Sequence, residues 1–274
     1  MTETILVPGG RDVRATLDRA RGDGIDDADE TGDTADAAAG RDAVVIACPP
    51  HPQQQGHRGD ARLVAVSDAL TARGVDCLRF DYGAWDEGYG ERADTLRAVE
   101  WAAERYDRVG LFGFSFGGAM ALLAAAEGAD VGAVSALGPA GRLADDLDAV
   151  AAFDRIPVPV QVVYGTRDDI ADWKPVVECA REYHQPVVEF AADHFFVGQE
   201  DKVAAASLTS SYRTSASSEN GSERPGRRRR QRPATNRPTK IRPNDIFGST
   251  PKPGLWSLAS DSPPSSPFSS SASR

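Results

Sequence analysis

Ser115 stands in Gly113-Phe114-Ser115-Phe116-Gly117-Gly118, directly after an apolar run of strand length (109–112) and before an alanine-rich stretch (119–126) that reads as a helix. A serine at a strand-to-helix turn sits in a strained backbone conformation, and small residues two before and two after it let strand and helix pass closely. The turn also aims the first helical N–H groups, and the positive end of the helix dipole, at the hydroxyl. Such a serine attacks carbonyl carbon once a base takes its proton and a third group fixes the tautomer of that base. Four histidines are available. His194, in Ala192-Asp193-His194-Phe195-Phe196, follows an apolar run at 187–190, where a loop can return it to the carboxyl edge of a sheet. His184 precedes Gln185-Pro186 and reads as an exposed residue at a helix end. His51 and His57 lie in an upstream loop and read as lining residues. The acid comes from Gly165-Thr166-Arg167-Asp168-Asp169 at the end of another run; Asp168 is the choice, and Asp169 is the rival. A surface pair of aspartates capping the helix at Trp173 is the competing structural reading.

These residues need a scaffold that brings strand ends together. Apolar runs at 43–48, 75–80, 109–112, 131–137, 158–164 and 187–190 alternate with helical patterns. Near-continuous Val/Ile/Leu runs are what strands covered on both faces require, so the fold class is α/β with a mostly parallel sheet. Asp60 can cap a helix that places Leu63, Val66 and Leu70 on one face, with Gly74 ending it in a left-handed turn. Leu96, Val99, Ala103 and Tyr106 form a similar stripe before the 109–112 run. At the N-terminus, 3–8 and 12–17 alternate around Gly9-Gly10 and read as a β-hairpin.

Of the 274 residues, 1–206 hold 37 acidic and 19 basic side chains, against 4 and 12 in 207–274. Serine divides at the same place, with 3 in the first part and 17 in the second. The first 206 residues suffice for one sizeable core, whereas the last 68 hold only seven Ile, Leu, Val and Phe, too few for a packed domain, and are expected to be disordered. An acidic, glycine-containing stretch at 21–42 reads as a mobile loop. The abrupt onset of serine, proline and arginine after a helical start at 200–206 points to a change of reading frame, which would strip the sheet of its last helical cover. The arginine run at 227–230 has no aromatic interleaving, and the strongly acidic domain repels polyanions, so no nucleic-acid partner is expected. No leader-like N-terminus and no apolar run of membrane-spanning length occurs, and Cys48, Cys77 and Cys179 lack any ligand spacing; a cytoplasmic protein with reduced thiols is expected. With 26 Asp to 11 Glu and only Lys174 and Lys202 in the first 206 residues, the composition resembles that of halophilic, salt-adapted proteins.

From residue 43 to about 202 the chain resembles the α/β-hydrolase superfamily, most closely its small prokaryotic members related to dienelactone hydrolases and acyl esterases. The motifs that carry the resemblance are Pro49-Pro50-His51-Pro52-Gln53, Leu78-Arg79-Phe80-Asp81-Tyr82-Gly83, the Ser115 elbow, Gly165 to Asp168 and Asp193-His194-Phe195-Phe196. The order Ser115, Asp168, His194 is the order those hydrolases use. The resemblance implies an oxyanion hole built from the backbone N–H groups of Phe116 and Gln53. Two departures matter. Dienelactone hydrolases use a cysteine nucleophile where this chain has Ser115, and the 138–157 segment is too short for a substantial lid domain. Trp85, Tyr89, Phe114 and Phe195 are the candidate substrate-lining residues. The expectation is a serine hydrolase that cleaves small or medium acyl esters or thioesters through an acyl-enzyme, without metal or cofactor. The alternative is a non-catalytic binding protein on the same fold.

Overall fold

The structure is a computed structural model that describes residues 2–20 and 41–216. The acidic stretch expected at 21–42, save its last two residues, lies outside the described residues, as do the chain beyond 216 and its arginine run. Eight strands form one sheet: β1 (Thr2–Val7), β2 (Val13–Asp18), β3 (Arg41–Cys48), β4 (Asp76–Phe80), β5 (Tyr106–Phe114), β6 (Ala133–Leu137), β7 (Val160–Gly165) and β8 (Val187–Phe190). Their order across the sheet is β1-β2-β4-β3-β5-β6-β7-β8, with the β1–β2 and β2–β4 pairings antiparallel and the pairings among β3 to β8 parallel. Six helices connect or flank them: α1 (Ala61–Thr71), α2 (Tyr89–Ala103), α3 (Phe116–Ala126), the single turn α4 (Ala149–Ala152), α5 (Lys174–Glu182) and α6 (Glu200–Ala216).

Alternation along the parallel strands sends side chains to two cores. Val44, Ile46 and Cys48 of β3 face α2, α3 and α5, while Val45 and Ala47 face α1 and α6. Both faces are covered, as the unbroken apolar runs require. Asp60 accepts the N–H of Arg62 to start α1, and Gly74 takes φ +80° after its end. Leu63, Val66 and Leu70 are the buried face.

Two expectations change. Of the stripe assigned to α2, Val99 is buried and Leu96 packs against the core, whereas Ala103 is exposed and Tyr106 belongs to β5; the buried face also contains Glu91, Asp94, Thr95, Ala98, Trp101 and Ala102. Fully buried acidic residues cannot be read from hydropathy, which assigns them to solvent. The last helix also runs past residue 206, and Val203, Ala204 and Leu208 pack on the α1 side of the sheet, so that cover is present. The 138–157 segment holds only α4 and a turn of 3-10 helix at Phe153–Arg155, and it forms no lid domain.

Candidate active site

The parallel sheet brings the carboxyl ends of β5, β7 and β8 to one edge, and each delivers one residue of the site. At the end of β5, Ser115 adopts φ 57° and ψ −117°, a conformation that costs on the order of 1–3 kcal/mol unless its surroundings enforce it. They do so through close packing. A Cβ on Gly113 would overlap the carbonyl of Gly117, and one on Gly117 would overlap the carbonyls of Cys48 and Pro49. The Ser115 N–H donates to Leu137 O at 2.8 Å, which ties the turn to the end of β6.

After β8, the Asp193 side chain accepts the N–H groups of Phe195 and Phe196 at 3.0 and 3.2 Å, folding the loop back over the sheet edge. This brings His194 Nε2 to 2.9 Å from Ser115 Oγ. His194 Nδ1 lies 2.7 Å from Asp168 Oδ2. A carboxylate at Nδ1 selects the tautomer with the proton there, so Nε2 is left to accept from the serine hydroxyl. Asp168 keeps its place because its other oxygen accepts from the N–H groups of Ile170 and Ala171 at 3.0 and 3.1 Å, and its carbonyl accepts from Trp173 Nε1–H. Asp168 and His194 are buried, whereas Asp169 is exposed and makes no contact with the histidine. Neither aspartate caps the next helix, whose N-cap is Trp173. Gly138, at φ +49°, lies against both members of the buried pair.

Around the nucleophile, the sequence-expected lining residues divide. The half-buried Trp85 ring stands 4.5 Å from that of His51 and 5.8 Å from that of Phe116. Phe195 is 48% exposed and meets the His194 ring edge-on at 5.5 Å. Tyr89 lies at the surface with its hydroxyl donating to Asp146 at 2.6 Å, which joins α2 to the 138–157 segment and raises the tyrosine pKa. Phe114 departs from expectation. It is buried beneath His194, 5.2 Å between ring centres, with the Arg62 guanidinium over its ring at 4.5 Å, so it supports the histidine from the core.

The expected oxyanion donors also divide. Phe116 N–H, the first of α3, has no acceptor among the described residues. The Gln53 N–H, by contrast, donates to His51 Nδ1 at 3.2 Å, a bond that closes the loop on itself. The N–H of His51 is the one in that motif without an acceptor among the described residues. Burial lowers the His51 pKa, which keeps Nδ1 free to accept. The same effect pushes the thiols of Cys48 and Cys77 up to about 12, leaving them protonated and unreactive at neutral pH.

The sequence profile of the dienelactone hydrolase family matches residues 83–220, half of the chain. A search among curated proteins found no match. Among solved structures, an α/β serine hydrolase without a lid from Xanthomonas campestris is similar at 22% identity and a TM-score of 0.61, covering 77% of this chain and 94% of that one. Est1E from Butyrivibrio proteoclasticus is similar at 19% identity and a TM-score of 0.64, with 78% and 99% covered. A dienelactone hydrolase from Anabaena variabilis is similar at 21% identity and a TM-score of 0.57, with 77% and 96% covered. At these identities the likeness is one of fold.

Proposed function

The chain belongs to the dienelactone hydrolase family and is a hydrolase, and we propose that it cleaves small or medium acyl esters or thioesters through an acyl-enzyme on Ser115. Ser115 Oγ attacks the acyl carbonyl as His194 Nε2 takes its proton. Asp168 holds the imidazolium that forms. The tetrahedral intermediate places its oxyanion at the start of α3, where the Phe116 N–H and the helix dipole favour negative charge. Collapse expels the alcohol or thiol, with His194 returning the proton to the leaving atom. Water then repeats the sequence on the acyl-serine, with His194 again as base.

A second donor belongs to the loop after β3. Gln53 could serve only by giving up its bond to His51 Nδ1, whereas the His51 N–H is already unengaged, and we place the donor there. One such donor is worth on the order of 3 kcal/mol in the transition state. Residues 1–206, extended by the continuation of α6 that carries Leu208 into the core, are proposed to form the hydrolase domain.

The observation that carries this reading is the continuous relay from Ser115 Oγ through both ring nitrogens of His194 to Asp168, at 2.9 and 2.7 Å. Rapid mixing with p-nitrophenyl acetate tests it. An acyl-enzyme mechanism with slow deacylation gives a burst of p-nitrophenol stoichiometric with enzyme, abolished in Ser115→Ala. A well-folded wild type with neither burst nor turnover on esters and thioesters would favour a binding protein instead.

A further inference from the structure

Glu91 and Asp94, near the start of α2, have no exposed surface, and the triad chemistry leaves them unused. Ionised carboxylates are costly to bury unless charge and hydrogen bonds compensate. The compensating charge comes from Arg11, 80 or more residues earlier, in the turn between β1 and β2. Its Nε donates to Asp94 Oδ1 at 2.9 Å. Its Nη2 donates to the Ala84 carbonyl at 2.6 Å and lies 3.6 Å from Glu91 Oε1. Glycines shape the space, because a Cβ on Gly90 would overlap the guanidinium and one on Gly83 would overlap the Arg11 carbonyl.

The two carboxylates pass this anchoring to the loop between β4 and α2. Glu91 accepts the N–H groups of Asp86 and Gly88 at 3.0 and 2.8 Å, and Asp94 accepts that of Gly83 at 2.9 Å. Arg11 therefore holds the Ala84 carbonyl directly and the residues around it through the acids. Next to Ala84 is Trp85, whose ring packs on His51 and Phe116 beside the nucleophile. Without the guanidinium, Glu91 would lose its cation and Asp94 would retain only Arg97, at 3.3 Å. Water drawn to the unpaired charge would loosen the loop.

We propose that Arg11 is a positioning residue for the substrate wall. By neutralising Glu91 and Asp94 and gripping the Ala84 carbonyl, it fixes Trp85 against Phe116, so the N-terminal hairpin governs which acyl groups fit beside Ser115. The hairpin lies outside the 83–220 region that carries the family profile. The kinetic consequence rests on the serine hydrolase reading, while the anchoring of Trp85 does not.

The test uses the full chain with Arg11→Gln and Trp85→Ala, singly and combined, on p-nitrophenyl acetate and p-nitrophenyl benzoate. Arg11→Gln should raise KM for the benzoate about tenfold and change kcat for the acetate by less than about threefold. The double variant should have a benzoate KM no higher than Trp85→Ala alone, because residues acting through one contact are not additive. Arg11→Lys, which keeps the charge and loses the planar fork, should recover part of the loss. Multiplying effects, or a benzoate KM unmoved by Arg11→Gln, would overturn the proposal. Should Arg11→Gln fail to fold, Gly90→Ala crowds the guanidinium with every charge retained and is held to the same KM criterion. Trp85 emission, isolated by subtracting the spectrum of a Trp85→Phe background, gives a readout independent of catalysis. Arg11→Gln should shift it to the red, and an unshifted spectrum would overturn the anchoring. A wild type that neither turns over esters nor reacts with fluorophosphonate would remove the hydrolase reading, and the Trp85 spectrum would still decide the role of Arg11.

Discussion

Asp168 turns one carboxylate oxygen to His194 and the other to two backbone N–H groups, while Asp169 points to solvent one residue later. Asp168→Asn should therefore lower kcat by about 10⁴, through the wrong histidine tautomer, with Asp169→Asn within about twofold of wild type. Steady-state kinetics on a single ester distinguishes the two, and equal losses would contradict the geometry. At this scale the sequence displays residue types and their order, which is enough to pick out Ser115, His194 and the Asp168-Asp169 pair. It does not display where a turn aims adjacent side chains. The same gap explains Phe114, whose position next to the nucleophile suggested a lining residue although strand alternation sends it into the core beneath His194. It also explains Gln53, since a backbone N–H bonded to the ring of a residue two positions away leaves no trace in composition.

At the scale of elements, the turn from β5 into α3 depends on backbone approaching backbone. Gly117→Ala would force the Cys48 and Pro49 carbonyls away from α3, a change expected to cost about 3 kcal/mol or more in denaturant unfolding and to remove activity with it. Stability within about 0.5 kcal/mol of wild type would contradict that packing. Strands β3 and β4 carry a second prediction. Cys48 and Cys77 ionise near 12 when folded against an ordinary 9.0, so the folded state favours the neutral thiols. Their contribution to stability is complete below pH 9 and is lost as pH rises from 9 towards 12, at about 1.4 kcal/mol per unit for each thiol. Denaturant melts across that range should show the decline, and an aromatic disulfide reagent should leave both thiols untouched in the native protein at pH 8. The strands themselves were legible as apolar runs because covered strands need continuous hydrophobicity. The α2 face was not, because Glu91 and Asp94 are buried by a partner that lies far away in the sequence.

Across the whole molecule, 37 acidic against 19 basic side chains in residues 1–206 imply mutual repulsion that salt screens. If the acidic composition is a salt adaptation, as we propose, the melting temperature should rise by about 5 °C or more between roughly 0.1 M and 2 M KCl. A flat response would remove the salt-adaptation reading and leave the mechanism untouched. The compositional boundary near 206 marks a change in the amino-acid content more than the end of a structural element, since α6 continues to Ala216 with Leu208 in the core. The central claim remains the identity of the nucleophile, and it is tested most directly by fluorophosphonate labelling followed by peptide mass spectrometry. The adduct is predicted on the peptide carrying Ser115 and should vanish in Ser115→Ala. An adduct on another residue, or labelling that survives the substitution, would contradict the account.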